Sequence, residues 1–223
     1  MYRIIFLFVF FSLSILISIS TSEAKWIISS GVDRTDISSD FNGYNILSTG
    51  TTAWLIPNVE SDNGYNFSIG VAPDNEFAIF RVSYLKTNHT GWWEDPSYTD
   101  SSMEIEHTRI TWLDLQLHLK ESFIHPFILF NFSVHKFNIK NGLLEDLGSG
   151  LEVGDAELRG PSIGLGGGIR TKFYNRLSLS ARATRVFGDI KKVKGGFYKE
   201  YIDAEDISFS GWNFRLYIDF HIL

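Results

Sequence analysis

Ser133 and His135 lie two apart in the run Asn131-Phe132-Ser133-Val134-His135. On an extended strand, side chains two apart share a face. A hydroxyl beside an imidazole begins a nucleophile–base pair for acyl transfer, provided a third group orients the base. The sequence places no such group beside them. A serine and a histidine on one strand face also arise easily by chance, so no catalytic residue is expected. His118, His135 and His221 could share one interior, and imidazole is a common metal ligand. Their positions give no close ligand spacing of the kind a tetrahedral site uses. Neither a metal nor a cofactor is expected.

The remaining ionisable groups suggest a structural chemistry. Arg81, Asp114, His118, Arg170, Arg182, Arg215 and Asp219 fall on the polar faces of alternating segments, as does Lys172. Both signs are present, and charges removed from water must be paired. A buried ion-pair network is expected, and the basic excess calls for Asp or Glu from the loop bases.

The elements that position these groups are strands. Trp212, Phe214, Leu216, Ile218, Phe220 and Ile222 share one phase of the closing segment, while Asn213, Arg215, Tyr217, Asp219 and His221 share the other. Period-two alternation of this kind marks a strand that divides an apolar from a polar environment. The same pattern runs through residues 64–72, 77–87, 107–119, 127–138, 161–173 and 177–189, with a weaker first strand over 26–35. Ile110 and Trp112 are out of phase with Leu113, Leu115 and Leu117, which predicts a bulge between them. The spacing predicts eight antiparallel strands. Their connections alternate long and short, with the long ones over 36–62, 88–106, 139–160 and 190–211.

Lipid or water must face the apolar side. An eight-stranded barrel has room inside for side chains or one small ligand. Phe67, Phe80, Phe130, Phe132, Phe214 and Phe220, with many leucines, would overfill it. With lipid outside, that bulk is unconstrained, and glycines, serines and mixed charges pack the interior. The cluster Gly164, Gly166, Gly167 and Gly168 fits close inward packing. A secreted soluble barrel that binds an apolar ligand is the reverse reading.

The amino terminus sets the compartment. Arg3, an apolar run over 4–19 and the small-residue site Ser22-Glu23-Ala24 predict a signal peptide over 1–24, cleaved after Ala24. The domain expected is then 25–223. The whole chain has 20 basic and 26 acidic residues and a net charge of −6; losing Arg3 and Glu23 leaves 19 and 25 and the same net charge. An exported acidic chain is a poor nucleic-acid binder. It has no cysteine, so hydrogen bonding and packing must stabilise it.

With this signal, Gly64-Tyr65-Asn66-Phe67-Ser68-Ile69-Gly70-Val71 before a tight turn, and the closing WNFRLYIDFHIL, the chain resembles the small eight-stranded outer-membrane barrels of the OmpA/OmpX type. The resemblance implies an up-and-down transmembrane barrel, all-β, in the bacterial outer membrane. Four long loops would lie outside and three short turns in the periplasm. It also implies contact with outer-membrane lipid and lipopolysaccharide, and assembly by the barrel-assembly machinery. Such barrels usually end on an outward aromatic residue, whereas here the outward phase ends at Ile222 and the chain at Leu223. Some relatives modify lipid A, but the His-x-Ser-Asn order of the deacylases is absent around Ser133.

The expected function is structural or surface-interacting, with no open pore and no enzymatic activity. The alternatives are a lipid A-modifying enzyme or the soluble ligand-binding barrel. Trp92 and Trp93, in the second long loop, are candidate contacts for an external protein or glycan. Lys191, Lys192 and Lys194 beside Asp203, Glu205 and Asp206 suggest a self-complementary last loop that could contact anionic lipopolysaccharide.

Overall fold

A computed structural model describes residues 24–43, 46–49, 52–73, 76–92, 103–119, 123–146, 150–174, 176–195 and 198–222. The expected signal peptide and its cleavage site fall almost wholly outside them, with only Ala24 described. The described residues form one twelve-stranded sheet. Eight strands build a barrel: β1 (Lys25–Thr35), β2 (Asp62–Ala72), β3 (Ala78–Trp92), β4 (Met103–His118), β5 (Ile124–Asp146), β6 (Gly150–Tyr174), β7 (Leu177–Gly195) and β8 (Tyr198–Ile222). Each pairs antiparallel with its neighbours in sequence, and β8 pairs with β1 to close the circuit. Closure leaves no free edge, which a membrane demands of strands.

The apolar phase faces outward. Val32, Tyr65, Phe67, Trp112, Leu165, Ile169, Phe214 and Leu216 are exposed, while Ser68, Asn131, Ser133, Thr184 and Asn213 between them are buried. A soluble barrel needs the opposite sense, so the apolar-ligand alternative is overturned. The belt is clearest on β8, where outward apolar residues run from Trp212 to Ile222. Eleven residues at about 3.3 Å each, tilted by about 45°, span about 25 Å, the height of an outer-membrane barrel's apolar band. A rim of outward polar groups bounds it at the long-loop end: Arg34, Asn63, Lys86, Thr108, Lys136 and Arg159. Lys86 meets Glu106 at 2.8 Å, and Lys136 meets Glu157 at 2.9 Å, as suits groups above lipid.

The expected bulge is present. Thr111 pairs with Ser133 and Leu113 with Phe132, so Trp112 is the extra residue. It lets Thr111 and Asp114 both point inward while Ile110, Trp112 and Leu115 stay outward.

The long connections depart from expectation in length. β3 continues to Trp92 and β4 starts at Met103. Only 147–149 separates β5 from β6, and only 196–197 separates β7 from β8. Both ends of 88–106 and most of 139–160 and 190–211 are therefore strand, projecting past the belt. There the hydrophobic phase inverts. Glu104, Glu106, Lys136, Asn138 and Glu157 face out, while Met103, Ile105, Phe137, Ile139 and Leu158 face in and are buried. In water the wall must be polar outside, so the alternation that marks the belt reverses and reads as a polar stretch.

The described residues of 36–61, here loop one, fold back into the projecting end. Ser38–Ser39 pairs with β8 and Asn58–Val59 with β3, extending the wall. Between them a hairpin of Ile46–Thr49 and Thr52–Leu55 reaches β5, pairing at Thr52–Asp146, Ala53–Glu145 and Trp54–Leu144. Ile37, Phe41, Ile56 and Val59 of loop one pack with Ile105, Phe137, Leu158, Ile190, Ile207 and Phe209 from the strands. The Phe41 ring lies 5.1 Å from Phe137 and 6.3 Å from Phe209. Gly211 admits this loop, since a Cβ there would strike the Asp36 carbonyl.

Candidate functional site: a layered lumen

The lumen is built in layers. Nearest the short turns, Asp219 of β8 gathers Arg81 Nη2 at 3.0 Å, Ser29 Oγ at 2.5 Å and Ser180 Oγ at 3.2 Å. Arg170 of β6 lies 3.4 Å from Asp219 and 2.7 Å from Glu76, and it also meets Ser178 at 2.9 Å and His221 at 2.5 Å. Lys172, at the short-turn rim and partly exposed, meets Glu76 at 2.9 Å.

The middle layer pairs Arg182 of β7 with Asp114 of β4. Arg81 and Arg182 lie 5.2 and 5.7 Å from the Tyr217 ring centre, and the Tyr217 hydroxyl accepts from Gln116 Nε2 at 2.9 Å. Gly164 and Gly168 leave room here: a Cβ would meet Asn131 at the first and Phe127 and Arg182 at the second. Above it, Asp33 of β1 accepts from Arg215 Nε at 2.9 Å, Asn66 Nδ2 at 2.5 Å and Asn213 Nδ2 at 2.8 Å, with Arg109 at 3.8 Å.

The structure thus brings together Arg81, Asp114, Arg170, Arg182, Arg215 and Asp219. His118 stands apart, packing on Phe127 and His125 with ring centres 5.3 and 6.1 Å away. Sequence reading missed Asp33 and Arg109. It foresaw acidic help from loop bases without naming it; that help is Glu76, from the first short turn, while Asp33 comes from β1.

A row of histidines crosses the lumen where the charged layers meet the apolar plug. The Glu60 carbonyl of loop one lies 2.8 Å from His89 Nδ1. His89 Nε2 is 3.3 Å from His107 Nδ1, His107 Nε2 is 2.9 Å from His135 Nδ1, and His135 Nε2 is 2.8 Å from Ser162 Oγ. All four side chains are buried. A carbonyl only accepts, so His89 Nδ1 carries hydrogen and its Nε2 accepts. Each following ring is then fixed in the same Nδ1–H form, and Ser162 donates to the last.

The belt ends at Tyr84 on β3 and at Ile110 on β4, so His89 and His107 lie beyond it. Burial holds His89 below the ordinary histidine range. Burial, then His135 and His89, holds His107 well below it.

Ser133 is not the partner of His135, because it bonds Thr111 at 3.0 Å. Ser162, His135 and His107 do follow nucleophile–base–orienter order, but the orienter is a neutral ring rather than a carboxylate. The space beside His107 and His135, bounded also by Thr35, Arg109 and Asn213, is about 10 Å³, room for about one water.

Trp92 ends β3 and pairs with Asn58, so it belongs to the projecting wall and not to a loop. Trp93 lies outside the described residues. Lys192 meets Asp203 at 2.6 Å across β7 and β8.

No protein-family model matches the chain, and no curated protein does. Among solved structures it is similar to a major outer membrane protein from Thermus thermophilus, 11% identical with a TM-score of 0.53, over 90% of this chain and 100% of that one. Neisserial surface protein A (NspA) is 12% identical, with a TM-score of 0.45 over 89% of this chain and 99% of that one. Ail, the attachment invasion locus protein of Yersinia pestis, is 14% identical, with a TM-score of 0.45 over 89% and 99%. Identities this low speak for fold alone, and the first structure carries that argument. In fold, the chain resembles the small eight-stranded outer-membrane barrels of the OmpA/OmpX type.

Proposed function

We propose that the protein is a sealed barrel of the bacterial outer membrane that acts at the cell surface, as a structural or interaction protein, and not as a pore. One observation carries this: ion-pair layers cross the lumen within the belt, and the loop-one plug packs its projecting end. Paired buried charges brace the wall, and together with the plug they would obstruct an aqueous path. The apolar belt fits lipid, and the charged rim above it suits the headgroups of lipopolysaccharide. The projecting strands hold a rigid surface above the membrane, where an external protein or glycan would bind. Export would proceed through the signal peptide ending at Ala24, and insertion through the barrel-assembly machinery.

A lipid-modifying role would need a route for an acyl chain to Ser162, and the space beside its partner His135 holds about one water. We therefore assign no enzymatic role.

The test joins cell fractionation, gel mobility with and without boiling, and conductance in planar bilayers. An outer-membrane band that shifts on boiling, with bilayers at background conductance, is the expected result. A soluble protein would overturn the membrane assignment, and steady single-channel steps would overturn the sealed lumen.

A further inference from the structure

We propose that His89, His107 and His135 form a proton-operated latch that holds loop one closed over the lumen. The row has one end on the loop, at the Glu60 carbonyl, and the other on the wall, at Ser162 of β6. Its direction is set by that carbonyl, so every ring has one donor and one acceptor in use and no spare site. This gives the row a definite proton capacity. One added proton can sit on His135 Nε2 if the Ser162 hydroxyl turns to accept, and every bond survives. A second proton forces N–H against N–H between neighbouring rings, and a link must break. The longest link, His89 to His107 at 3.3 Å, lies on the loop side.

The surroundings oppose charge on the closed row. Arg109 of β4 lies on its membrane side, held by Asn213 at 2.9 Å and Asp33 at 3.8 Å. On the plug side are Phe137, stacked on His107 with ring centres 4.5 Å apart, and Phe209. Asp36 of loop one and Asp62 of β2 act on the His89 end, and Asp36 also borders the small space beside His107 and His135. β5, β6 and β7 turn their nearby charges outward, at Lys136, Glu157, Arg159 and Lys191. Among the described residues no carboxylate bonds His107 or His135, and the space beside them has room for about one water, so imidazolium there is poorly compensated. Lifting loop one hydrates the row, so protons bind the open state more tightly than the closed one and shift the population toward it.

The chain has no cysteine, which makes spin labelling direct. Ser61→Cys and Lys191→Cys would place one nitroxide on loop one and one on β7 of the detergent-folded barrel. The inter-label distance distribution is expected to be narrow at neutral pH. It should broaden to longer distances on acidification, with a midpoint below about 6.5, the ordinary histidine value, and more steeply than a one-proton titration. In the same labelled protein, His107→Gln with His135→Gln keeps a donor and an acceptor at each position without a titrating ring. That variant is expected to stay narrow until the barrel itself unfolds. Broadening that persists unchanged in it would assign the response to His89 alone or to Asp36, Glu60 or Asp62 and overturn the three-ring latch. So would a wild-type distribution that stays narrow until the barrel unfolds. Should the double variant fail to fold, imidazole nitrogen spectra of the wild type decide the matter. They should show the Nδ1–H form at all three rings, lost together with the shifts of loop-one amides. An Nε2–H form at His107, or loop movement without ring titration, would overturn the proposal.

Discussion

Arg81 of β3 and Asp219 of β8 meet inside the lumen, with Arg81 Nη2 at 3.0 and 3.1 Å from the two carboxylate oxygens. Both side chains are buried. Removing one partner strands the other's charge, at a cost of about 3–5 kcal/mol, whereas replacing both with apolar groups is often neutral. Asp219→Leu is therefore expected to lower the urea midpoint of the detergent-folded barrel strongly. Arg81→Met added to Asp219→Leu should restore most of it. Recovery will be incomplete, because Arg170 also reaches Asp219 at 3.4 Å. A double variant no better than the single one would show that the pair does not act as a unit.

The belt edge can be mapped by charge. Leu216, near the middle of the outward run on β8, faces lipid, and Asn88 on β3 lies beyond the rim at Lys86. An arginine on the lipid face costs about 2–4 kcal/mol at mid-depth and about 0–1 near the interface. Leu216→Arg should destabilise the barrel in lipid vesicles by the larger amount, and Asn88→Arg by almost nothing. Equal effects would mean the belt has been placed at the wrong height.

The same inversion of phase explains what the sequence could and could not reveal. β8 was legible from Trp212 onward because its outward residues are all apolar and its inward ones nearly all polar. On β4, Met103, Ile105, His107 and Arg109 point inward in one phase, yet they change from apolar to charged along it. A reader seeking one alternating pattern sees it break there, and the bulge at Trp112 breaks it again. Arg109 was hidden for that reason. Asp33 was hidden by the weak first strand, whose outward face includes Ser30 and Arg34. Of the histidine row, only His135 sat in a recognised strand interior. His89 lay in a stretch that read as loop, and His107 at a boundary. The available signal was a histidine on each of three consecutive strands, at the point where the apolar phase changes sides. The loop-one plug left no periodic trace, because its apolar residues are spaced by tertiary packing and not by a repeating element.

The bulge makes a prediction that runs against intuition. Deleting one residue from a strand normally turns every following side chain to the other face. Trp112 is the unpaired residue between Thr111 and Leu113, so its deletion removes the bulge and leaves Thr111 and Asp114 inward. The Trp112 deletion is expected to give a barrel that still shifts on boiling. Deletion of Leu115, three residues on and in regular pairing with Phe130, should abolish the shift, because Gln116 and His118 would turn to lipid. Failure of both deletions would indicate that Trp112 is needed for more than its place in the register.

Phe41 tests whether the plug opens separately from the barrel. Its side chain is 1% exposed and touches Phe137 of β5 and Phe209 of β8. Loop one is also tied by backbone bonds from Asp36 to Trp212 at 2.8 Å, from Gly43 to Ile56 at 3.0 Å and from Glu60 to Thr90 at 2.9 Å. Truncating a buried phenylalanine costs about 3–5 kcal/mol. If the plug opens alone, Phe41→Ala takes that amount from local opening and leaves the barrel strands untouched. Hydrogen exchange at the Asp36, Gly43 and Glu60 amides should then quicken by about a hundredfold or more, while belt amides such as those of Ser68 and Leu216 keep their protection. Equal loss of protection in the belt would show that plug and barrel unfold together. Unchanged exchange in loop one would show that Phe41 does not anchor it.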